Sequence, residues 1–467
     1  MFSYHFHTNG NVDLDNHVRM TEAPVGKLVA SLAVPTVTSM LVTTLYNTAD
    51  TYFVSQLGTS ASGAVGINFS LMAIFQAIGF TLGNGAASVV ALALGADDEE
   101  KAHIYASSSF FLSLALGAVL CVTGLAFLEP LMKKLGATPT ILPFAKDYAA
   151  WILFGAPFIC ASFVMNNVLR AEGHASFAMR GLVAGGILNI FLDPIFIFVF
   201  GLGISGAAIA TIVSQCVSFA VMILFFIRKK SIVRLSIKYF IHNLSVFYDI
   251  MRLGLPSLTR QGLACISTAA LNVSAAVYGD AAVAGMSIVL RVVMFVFAVN
   301  IGIGQGFSPV AGYNFGAGLY SRVKEAYKVT VCADMVIMGL FSAVLWIFAP
   351  EIMKFFRDDP AVIATGISAM RFQCCVVIFH PIIVMTNMLF QFTGLAWRAT
   401  LLASTRQGIY FIPLIVLLPQ LFGLKGVEMI QTVADFLSFL TAVPAAVWFM
   451  KMLNKKEEER LQGSRCN

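Results

Sequence analysis

The stretch ISGAAIATIVSQCVSFAVMILFFI, residues 204–227, decides the fold class of this chain, and the basic cluster RKK follows it at residues 228–230. The stretch contains no Asp, Glu, Lys, Arg or His. As an α-helix it would be about 36 Å long, which is enough to cross a hydrocarbon core of about 30 Å. Because lipid offers no hydrogen-bond partners to the backbone, an unbroken apolar stretch of this length must cross as a helix.

Similar apolar runs recur along the whole chain, and the composition agrees with them. The 467 residues are 58% hydrophobic and 12% charged, with a mean hydropathy of +0.83. Soluble domains carry roughly twice that charged fraction. The runs also lack the alternating pattern of a membrane barrel. The sequence therefore excludes a water-soluble fold and predicts an all-α polytopic membrane protein.

Charged residues and Gly or Pro residues between the apolar runs divide the chain into twelve predicted transmembrane helices. The first six are 28–54, 62–94, 103–128, 146–169, 176–200 and 204–227. The second six are 250–278, 281–308, 325–349, 362–392, 399–422 and 427–450. We therefore predict five segments: a leader (1–26), an N-lobe (27–228), a basic linker (229–249), a C-lobe (250–452) and a tail (453–467).

The distribution of Lys and Arg predicts the orientation in the membrane. The linker is the longest predicted connection and is rich in both residues, and such loops favour the cytoplasmic side. We therefore expect both termini in the cytoplasm, in a multi-pass protein of the cell (inner or cytoplasmic) membrane. We expect the linker to contact anionic lipid rather than nucleic acid.

The polar leader lacks the basic region, apolar run and cleavage site of a secretory signal. We expect residues 1–26 to be disordered. Met20 opens a more ordinary leader, MTEAPVGKLVA, so the sequence leaves Met1 and Met20 open as the start.

The two halves of the chain repeat each other. Adding 221, which is 256 minus 35, to a residue number carries many Gly and Pro positions onto the same residue type. The pairs are Pro35 with Pro256, Gly58 with Gly279, Gly83 with Gly304, Gly85 with Gly306, Gly95 with Gly316, Asn166 with Asn387 and Gly173 with Gly394. Each half holds an even number of spans, so both have the same orientation. We expect two pseudo-symmetric six-helix bundles that face each other across a cleft.

Two carboxylates interrupt the apolar spans of the N-lobe. Asp50 lies in LYNTADTYFV of the first span, and Asp193 lies in ILNIFLDPIFIF of the fifth. Asn47 and Asn189 share their helix faces, at spacings of three and four residues. Topology places both acids and Thr211 of the sixth span within roughly 10 Å of one membrane surface, where they can meet. Because a charge inside the membrane costs at least a few kcal/mol, these acids need a partner, a cavity or a task.

The donor set of this group indicates which ion it would take. Two carboxylates, an amide and a hydroxyl suit Na+ or a shared proton. No His or Cys accompanies them, so we predict neither a transition-metal site nor a cofactor. Pro35 and Pro194 remove backbone donors from the first and fifth spans, so each is either a hinge or a tolerated kink.

The repeat provides an internal control for the acids. The offset carries Asp50 onto Leu271 and the region of Asp193 onto an apolar stretch around Pro413. The scaffold therefore works without them, which favours a functional role. Other buried polar residues are expected to be interhelical hydrogen bonders: Gln76, Asn166, Asn167, Gln215, Arg260, Arg291, Gln305, Asp334 and Asp435.

Four motifs occur at a specific spacing: LYNTADTYFVSQLG (45–58), LRAEG (169–173), LNIFLDPIFIF (188–198) and GLGISGAAIATIVSQ (201–215). Together they resemble the multidrug and toxic-compound extrusion (MATE) family, in particular its DinF-like prokaryotic branch. The resemblance covers residues 27–452. It implies two six-helix bundles, a central cleft that opens alternately to each side, and antiport of small organic, often cationic, compounds against H+ or Na+.

Carried over residue by residue, the resemblance assigns two sets of residues in the N-lobe. Asp50, Asn189, Asp193 and Thr211 match the coupling-ion site, and Tyr46, Asn47 and Asn166 match the lining of the cavity. Another branch of the family uses an acid in the seventh span. This chain has no acid between Leu253 and Tyr278, which favours coupling through the N-lobe.

The sequence leaves three classes of function to be distinguished. Antiport by a functional monomer is the reading that the resemblance favours. A flippase for lipid-linked oligosaccharides is the alternative, since related folds do this, and a cleft lined with Arg and Lys would favour it. A membrane-embedded enzyme would need paired catalytic groups, and neither His-rich nor Ser/Lys constellations occur within the predicted spans.

Overall fold

Long α-helices form nearly all of the structure, a computed structural model that describes residues 10–240 and 243–463. The helices are α1 (Gly10–Glu22), α2 (Val25–Ser55), α3 (Thr59–Gly95), α4 (Glu99–Ala126), α5 (Leu128–Lys134), α6 (Leu142–Ala171), α7 (Ala175–Pro194), α8 (Gly203–Ile227), α9 (Leu244–Ala276), α10 (Asp280–Gly316), α11 (Tyr320–Ile347), α12 (Ala349–Phe356), α13 (Pro360–Val377), α14 (His380–Phe392), α15 (Ala396–Ser404), α16 (Phe411–Phe422) and α17 (Leu424–Gly463). Ile195–Val199 and Thr405–Ile409 are π-helical turns, and Ile237–Tyr239 is a 3-10 turn.

Eleven helical segments within the described ranges are long and apolar enough to cross a membrane. Helix α9 is the remaining span. It has 33 residues but includes Arg252 and Arg260, which lower its hydropathy. The predicted span 362–392 is divided into α13 and α14, because Pro381 in the first turn of α14 has no N–H to continue the preceding helix. The predicted all-α fold of twelve spans in two six-helix bundles is confirmed.

The offset of 221 relates the helices of the two lobes as well as their residues. Helices α3 and α10 both have 37 residues, and the offset superposes their boundaries without a shift. The residues that precede them, Gly58 and Gly279, have φ values of 111° and 97°. Only glycine adopts such a backbone readily, so both lobes need glycine at this turn.

Helices from different lobes touch at the backbone through glycines. A Cβ atom on Gly306 of α10 would lie 2.4 Å from Cα of Ala33 in α2, and one on Gly85 of α3 would lie 2.1 Å from the Ile250 carbonyl oxygen of α9. The two glycines are equivalent under the repeat. Both contacts lie toward the side of the membrane that carries α1 and residues 228–240, which we call the proximal side; the opposite side is the distal side.

The leader differs from its prediction. The sequence predicted disorder over residues 1–26, whereas the structure forms helix α1; residues 1–9 lie outside the described residues. The contacts of α1 join it to both lobes: Asn16 Nδ2 donates to the Glu172 carbonyl oxygen at 2.9 Å, and His17 Nδ1 lies 2.9 Å from the Tyr313 hydroxyl. The prediction was wrong for α1 because polar composition does not reveal a docking surface built by distant residues.

The linker and tail are also more ordered than a simple connection requires. Residues 229–240 pack on α4, where Ser107 Oγ donates to the Arg234 carbonyl oxygen at 2.9 Å. Helix α9 begins at Leu244, inside the predicted linker, and α17 continues to Gly463, inside the predicted tail. Residues 241–242 and 464–467 lie outside the described residues.

The interlobe contact at Gly306 predicts a position-specific cost of adding one methyl group. Gly306→Ala should destabilise the purified protein by about 1–3 kcal/mol, because the new Cβ overlaps backbone atoms of Ala33. Gly262→Ala is the matched control. No atom outside its own helix lies within 4 Å of a Cβ there, so it should raise stability by up to about 1 kcal/mol. Thermal unfolding in detergent measures both, and equal behaviour of the two variants would contradict the interface.

Candidate functional site

A polar cavity lies in the distal half of the N-lobe, between α2, α3, α6, α7 and α8. The space within it, including its opening to the outside, is about 320 Å³. Its polar lining consists of Tyr46, Asn47, Asp50, Asn68, Tyr148, Asn189 and Thr211. The structure therefore brings together on one surface side chains that are up to 165 residues apart, from Tyr46 to Thr211.

The side-chain amide of Asn189 connects the residues of the site that lie on α7 and α8. Asn189 Nδ2 donates to Asp193 Oδ1 at 3.1 Å and to Thr211 Oγ1 at 3.4 Å. An amide nitrogen carries two hydrogens, so both of its donors are used. Asp193 is fully buried and Asn189 and Thr211 nearly so. The shared amide fixes the carboxylate and the hydroxyl relative to each other.

Asp50 reaches the same cavity from α2. The Tyr148 hydroxyl of α6 donates to Asp50 Oδ2 at 3.5 Å, and Asp50 is 6% exposed. Asp50 lines the cavity together with Asn189, which holds Asp193 by its side-chain amide. The site therefore holds two carboxylates and, among the described residues, no Lys or Arg within salt-bridge distance of either.

Several oxygen atoms of the site have no hydrogen-bond donor. They are Asp50 Oδ1, Asn68 Oδ1, Asn189 Oδ1 and Asp193 Oδ2, all buried. Buried polar atoms are normally hydrogen-bonded, so a group of unpartnered acceptors needs an explanation. Protons on the carboxylates or a hard cation such as Na+ would satisfy these oxygens. The donor set fits either ion, and no group of three or more His, Cys, Asp or Glu in the described chain could hold another metal.

Local backbone geometry explains how α7 and α8 meet. Pro194 follows Asp193 and is succeeded by the π-helical turn, in which the Phe200 amide donates to the Ile195 carbonyl oxygen at 2.9 Å. Gly206 of α8 approaches this turn so closely that a Cβ would lie 2.6 Å from the Phe196 carbonyl oxygen. This close packing brings Thr211 next to Asn189.

One predicted member of the cavity lies elsewhere. Asn166 does not line it, because it follows Tyr148 by 18 positions in α6, about 27 Å along the helix. Its Nδ2 donates to the Ala178 carbonyl oxygen at 3.2 Å. The equivalent Asn387 donates to the Ala399 carbonyl oxygen, again 12 residues on, at 2.6 Å. Asn166 therefore makes a bond that both lobes share, and it is not among the residues that line this cavity.

Sequence reasoning missed two members of the site, Tyr148 and Asn68. Tyr148 lies two residues inside a predicted span, and a tyrosine near a span end is ordinarily an interfacial anchor. Asn68 donates to the Ala64 and Ala145 carbonyl oxygens at 2.9 and 3.2 Å, and its own carbonyl faces the site. A lone amide in an apolar span was the only signal for it.

The C-lobe uses its buried polar residues differently. Asp435 accepts hydrogen bonds from Arg406 and Gln431, both at 2.7 Å, and lies 2.8 Å from His380. Asn300 Nδ2 donates to Asp334 Oδ2 at 3.1 Å. Except for the Gln431 bond, which lies within α17, these contacts join different helical segments, as expected for interhelical hydrogen bonders.

A comparison with known proteins identifies the family that this chain resembles. The sequence profile of the MatE family matches residues 35–195 and 256–417, one stretch in each lobe. Multidrug export protein MepA of Staphylococcus saprophyticus is 27% identical over 443 residues, which cover 95% of this chain and 98% of that protein. MepA of Staphylococcus haemolyticus is 28% identical over 89% of this chain and 93% of its own length.

Solved structures agree with the fold. A multidrug resistance MATE family transporter of the MOP superfamily, in an outward-facing conformation, superposes with a TM-score of 0.89 at 30% identity, over 94% of this chain and 98% of that one. A MOP superfamily transporter from Pyrococcus furiosus, described as having a binding pocket of reverse polarity, gives a TM-score of 0.89 at 28% identity, over 96% and 100%. Since the profile matches both lobes and more than half of the residues, this chain belongs to the MatE family of multidrug and toxic-compound extrusion transporters.

Proposed function

We propose that this protein is an antiporter that exports small organic compounds from the cell in exchange for H+ or Na+. The family of the chain and its similarity to MepA, a multidrug export protein, support this proposal. The observation that carries the coupling is the group of buried, unpartnered oxygens around Asp50 and Asp193. No catalytic residue is required, because the compound crosses the membrane unchanged.

Helix α2 offers a physical route from the ion to the lobes. Asp50 lies at its distal end, and Ala33, in contact with Gly306 of the C-lobe, lies near its proximal end. A proton or Na+ at the site reduces the repulsion between the two carboxylates and allows α2 and α7 to approach. A shift of α2 then changes its contact with α10, which closes the proximal side. Pro35, between these two points, is the proposed hinge of α2, and Pro194 that of α7.

The proposed orientation places the proximal side in the cytoplasm. Lys and Arg are concentrated there, notably Arg228, Lys229, Lys230, Arg234 and Lys238. Loops of this kind remain on the cytoplasmic side. Both termini then lie in the cytoplasm of a cell whose inner membrane holds the protein. One chain supplies both lobes, so we propose that the monomer is the functional unit.

The coupling site predicts a selective loss of gradient-driven transport. In proteoliposomes loaded with a fluorescent organic cation, Asp50→Asn and Asp193→Asn should reduce efflux under an imposed Na+ or pH gradient to the level of protein-free vesicles. Each change removes a group that a proton or Na+ requires. Asp280→Asn, at an exposed acid on the same side of the protein, is the control and should transport like wild type.

The gradient that drives wild-type efflux identifies the ion. Mutants as active as wild type would rule out this coupling site. Transport that ignores both gradients would overturn antiport and favour the flippase alternative.

The orientation predicts which loops a membrane-impermeant maleimide reaches from outside intact cells. In a variant without the eight native cysteines, Thr140→Cys on the distal side should be labelled. Glu100→Cys on the proximal side should be labelled only after the cells are opened. Both positions are exposed, so a reversed pattern would show that the chain is inserted the other way.

A further inference from the structure

A second polar cavity lies between the lobes, in the proximal half of the protein and separate from the site in the N-lobe. It lies between α3 and α6 on one side and α9, α10 and α14 on the other, with about 290 Å³ of space that includes its opening to the outside. Two arginines, Arg170 and Arg260, line it together with side-chain amides, and no Asp or Glu does. We call it the interlobe cavity.

Arg170 is buried without a counter-charge. It is 4% exposed and donates to the side-chain oxygens of Gln305 and Asn167, both neutral. The acid nearest to it in sequence, Glu172, instead accepts from Ser231 Oγ at 2.7 Å and from the Ile232 amide at 3.1 Å. Among the described residues, no carboxylate lies within 4.0 Å of the Arg170 guanidinium.

Arg260 adds a second positive charge to the same cavity. It lies in the middle of α9 and is half-buried. Among the described residues, its side chain donates one hydrogen bond, to Asn387 Oδ1 at 3.5 Å. A guanidinium has five N–H donors, so most of those on Arg260 are left for another acceptor. Two cations that share a cavity inside a membrane protein, with only amides as partners, are costly unless an anion joins them.

The internal repeat shows that the architecture does not require these charges. The offset carries Arg170 onto Gln391, and Arg260 is equivalent to Ser39. Asn84 and Gln305, which also line the interlobe cavity, are equivalent to each other, so the cavity lies near the pseudo-twofold axis between the lobes. The scaffold thus accepts neutral residues at both arginine positions, and the two charges are a property of this cavity.

We propose that the interlobe cavity binds the anionic group of the transported compound, with Arg170 and Arg260 as its direct partners. A guanidinium matches a carboxylate, sulfonate or phosphate with two parallel hydrogen bonds. The side chains of Met388 and Phe392 provide apolar surface for the rest of the compound. This inference rests on the proposed export function and names the class of substrate that the cavity favours: organic compounds that carry an anionic group, zwitterions included.

Arg170 also links ligand binding to the contact between the lobes. The Arg170 hydrogen bond to Gln305 crosses from the N-lobe to the C-lobe. An anion that takes the Arg170 donors competes with Gln305 and so weakens this contact on the proximal side. Ligand binding and opening of the proximal side are therefore coupled through one guanidinium.

A matched pair of dyes tests the proposal. One is a rhodamine with a free benzoate, and the other is its methyl ester, which differs only in lacking the negative charge. Fluorescence anisotropy with the purified full-length protein gives both affinities without any ion gradient. We expect wild type to bind the free acid at least about tenfold more tightly than the ester. Equal affinities, or no binding of the free acid, would overturn the proposal.

Substitutions assign the preference to the arginines. Arg260→Gln and Arg170→Gln should each bring the ratio of the two affinities close to one and leave ester binding within about twofold of wild type. Ester binding also reports that each variant is folded. Arg291→Gln, at an exposed arginine of α10 outside the cavity, should keep the wild-type ratio. An unchanged ratio in both cavity variants would contradict the assignment.

Competition then identifies the source of the anionic group. Displacement of the free-acid dye by a soluble naphthalenesulfonate, without stronger displacement by an isoprenyl diphosphate, identifies a soluble organic anion. Tighter displacement by an isoprenyl diphosphate than by inorganic diphosphate identifies a lipid phosphate. Either result supports an anion site, and displacement by none of them argues against it. Because binding is measured without a gradient, the anion site and the antiport activity can fail independently.

Discussion

Inside a membrane, a polar group has no water with which to form hydrogen bonds, and the rest of the structure depends on this constraint. Backbone groups satisfy it within helices, which is why nearly every described residue is helical. Side chains satisfy it by bonding across helices, as Gln391 of α14 does by donating to the Leu253 carbonyl oxygen of α9. The few groups that do neither stand out, because leaving them unpartnered has a cost that the fold tolerates only where a ligand or an ion can complete them.

Because the chain contains an internal repeat, the buried polar groups of one lobe can be compared with those of the other. Both lobes use the same turns and the same Asn bond, at Asn166 and Asn387, so those features belong to the scaffold. The acids behave differently in the two lobes. In the C-lobe, Asp435 is held by Arg406 and lies beside His380, and its charge is compensated. In the N-lobe, Asp50 and Asp193 face unpartnered oxygens. Asp334 of the C-lobe, bonded to Asn300, also keeps an unpartnered oxygen, so the N-lobe differs in bringing two carboxylates to one group of open oxygens.

Much of this could be predicted from the sequence, because long apolar runs and the 221-residue repeat are local patterns that lipid enforces. Asp50, Asp193 and Thr211 were predicted to lie at a depth where they can meet. Asp50 and Thr211 line one cavity together with Asn189, and Asp193 is hydrogen-bonded to Asn189 beside it. Tyr148 was missed because a tyrosine near a span end is usually an anchor. Helix α1 was missed because its docking surface is assembled from both lobes. Contacts that join distant segments leave no periodic signal in either segment.

The two cavities lie at different places relative to the lobe contact, and that arrangement has a mechanical consequence. The site in the N-lobe is distal to the contact, whereas the interlobe cavity lies beside it, since its Asn84 and Gln305 precede Gly85 and Gly306. Asp50 acts on α2 from the distal end, where a cation would draw helices of the N-lobe together. Arg170 acts at the proximal end, where its bond to Gln305 holds the lobes to each other. A cation at the first site and an anionic group at the second therefore act on the same lobe interface, the cation through α2 and the anionic group directly. Since the glycine contacts between α2 and α10 leave no room for a small adjustment, the interface has to move as a unit. Binding at either end would then change the free energy of the whole rearrangement, which is the condition that exchange of one ligand for another requires.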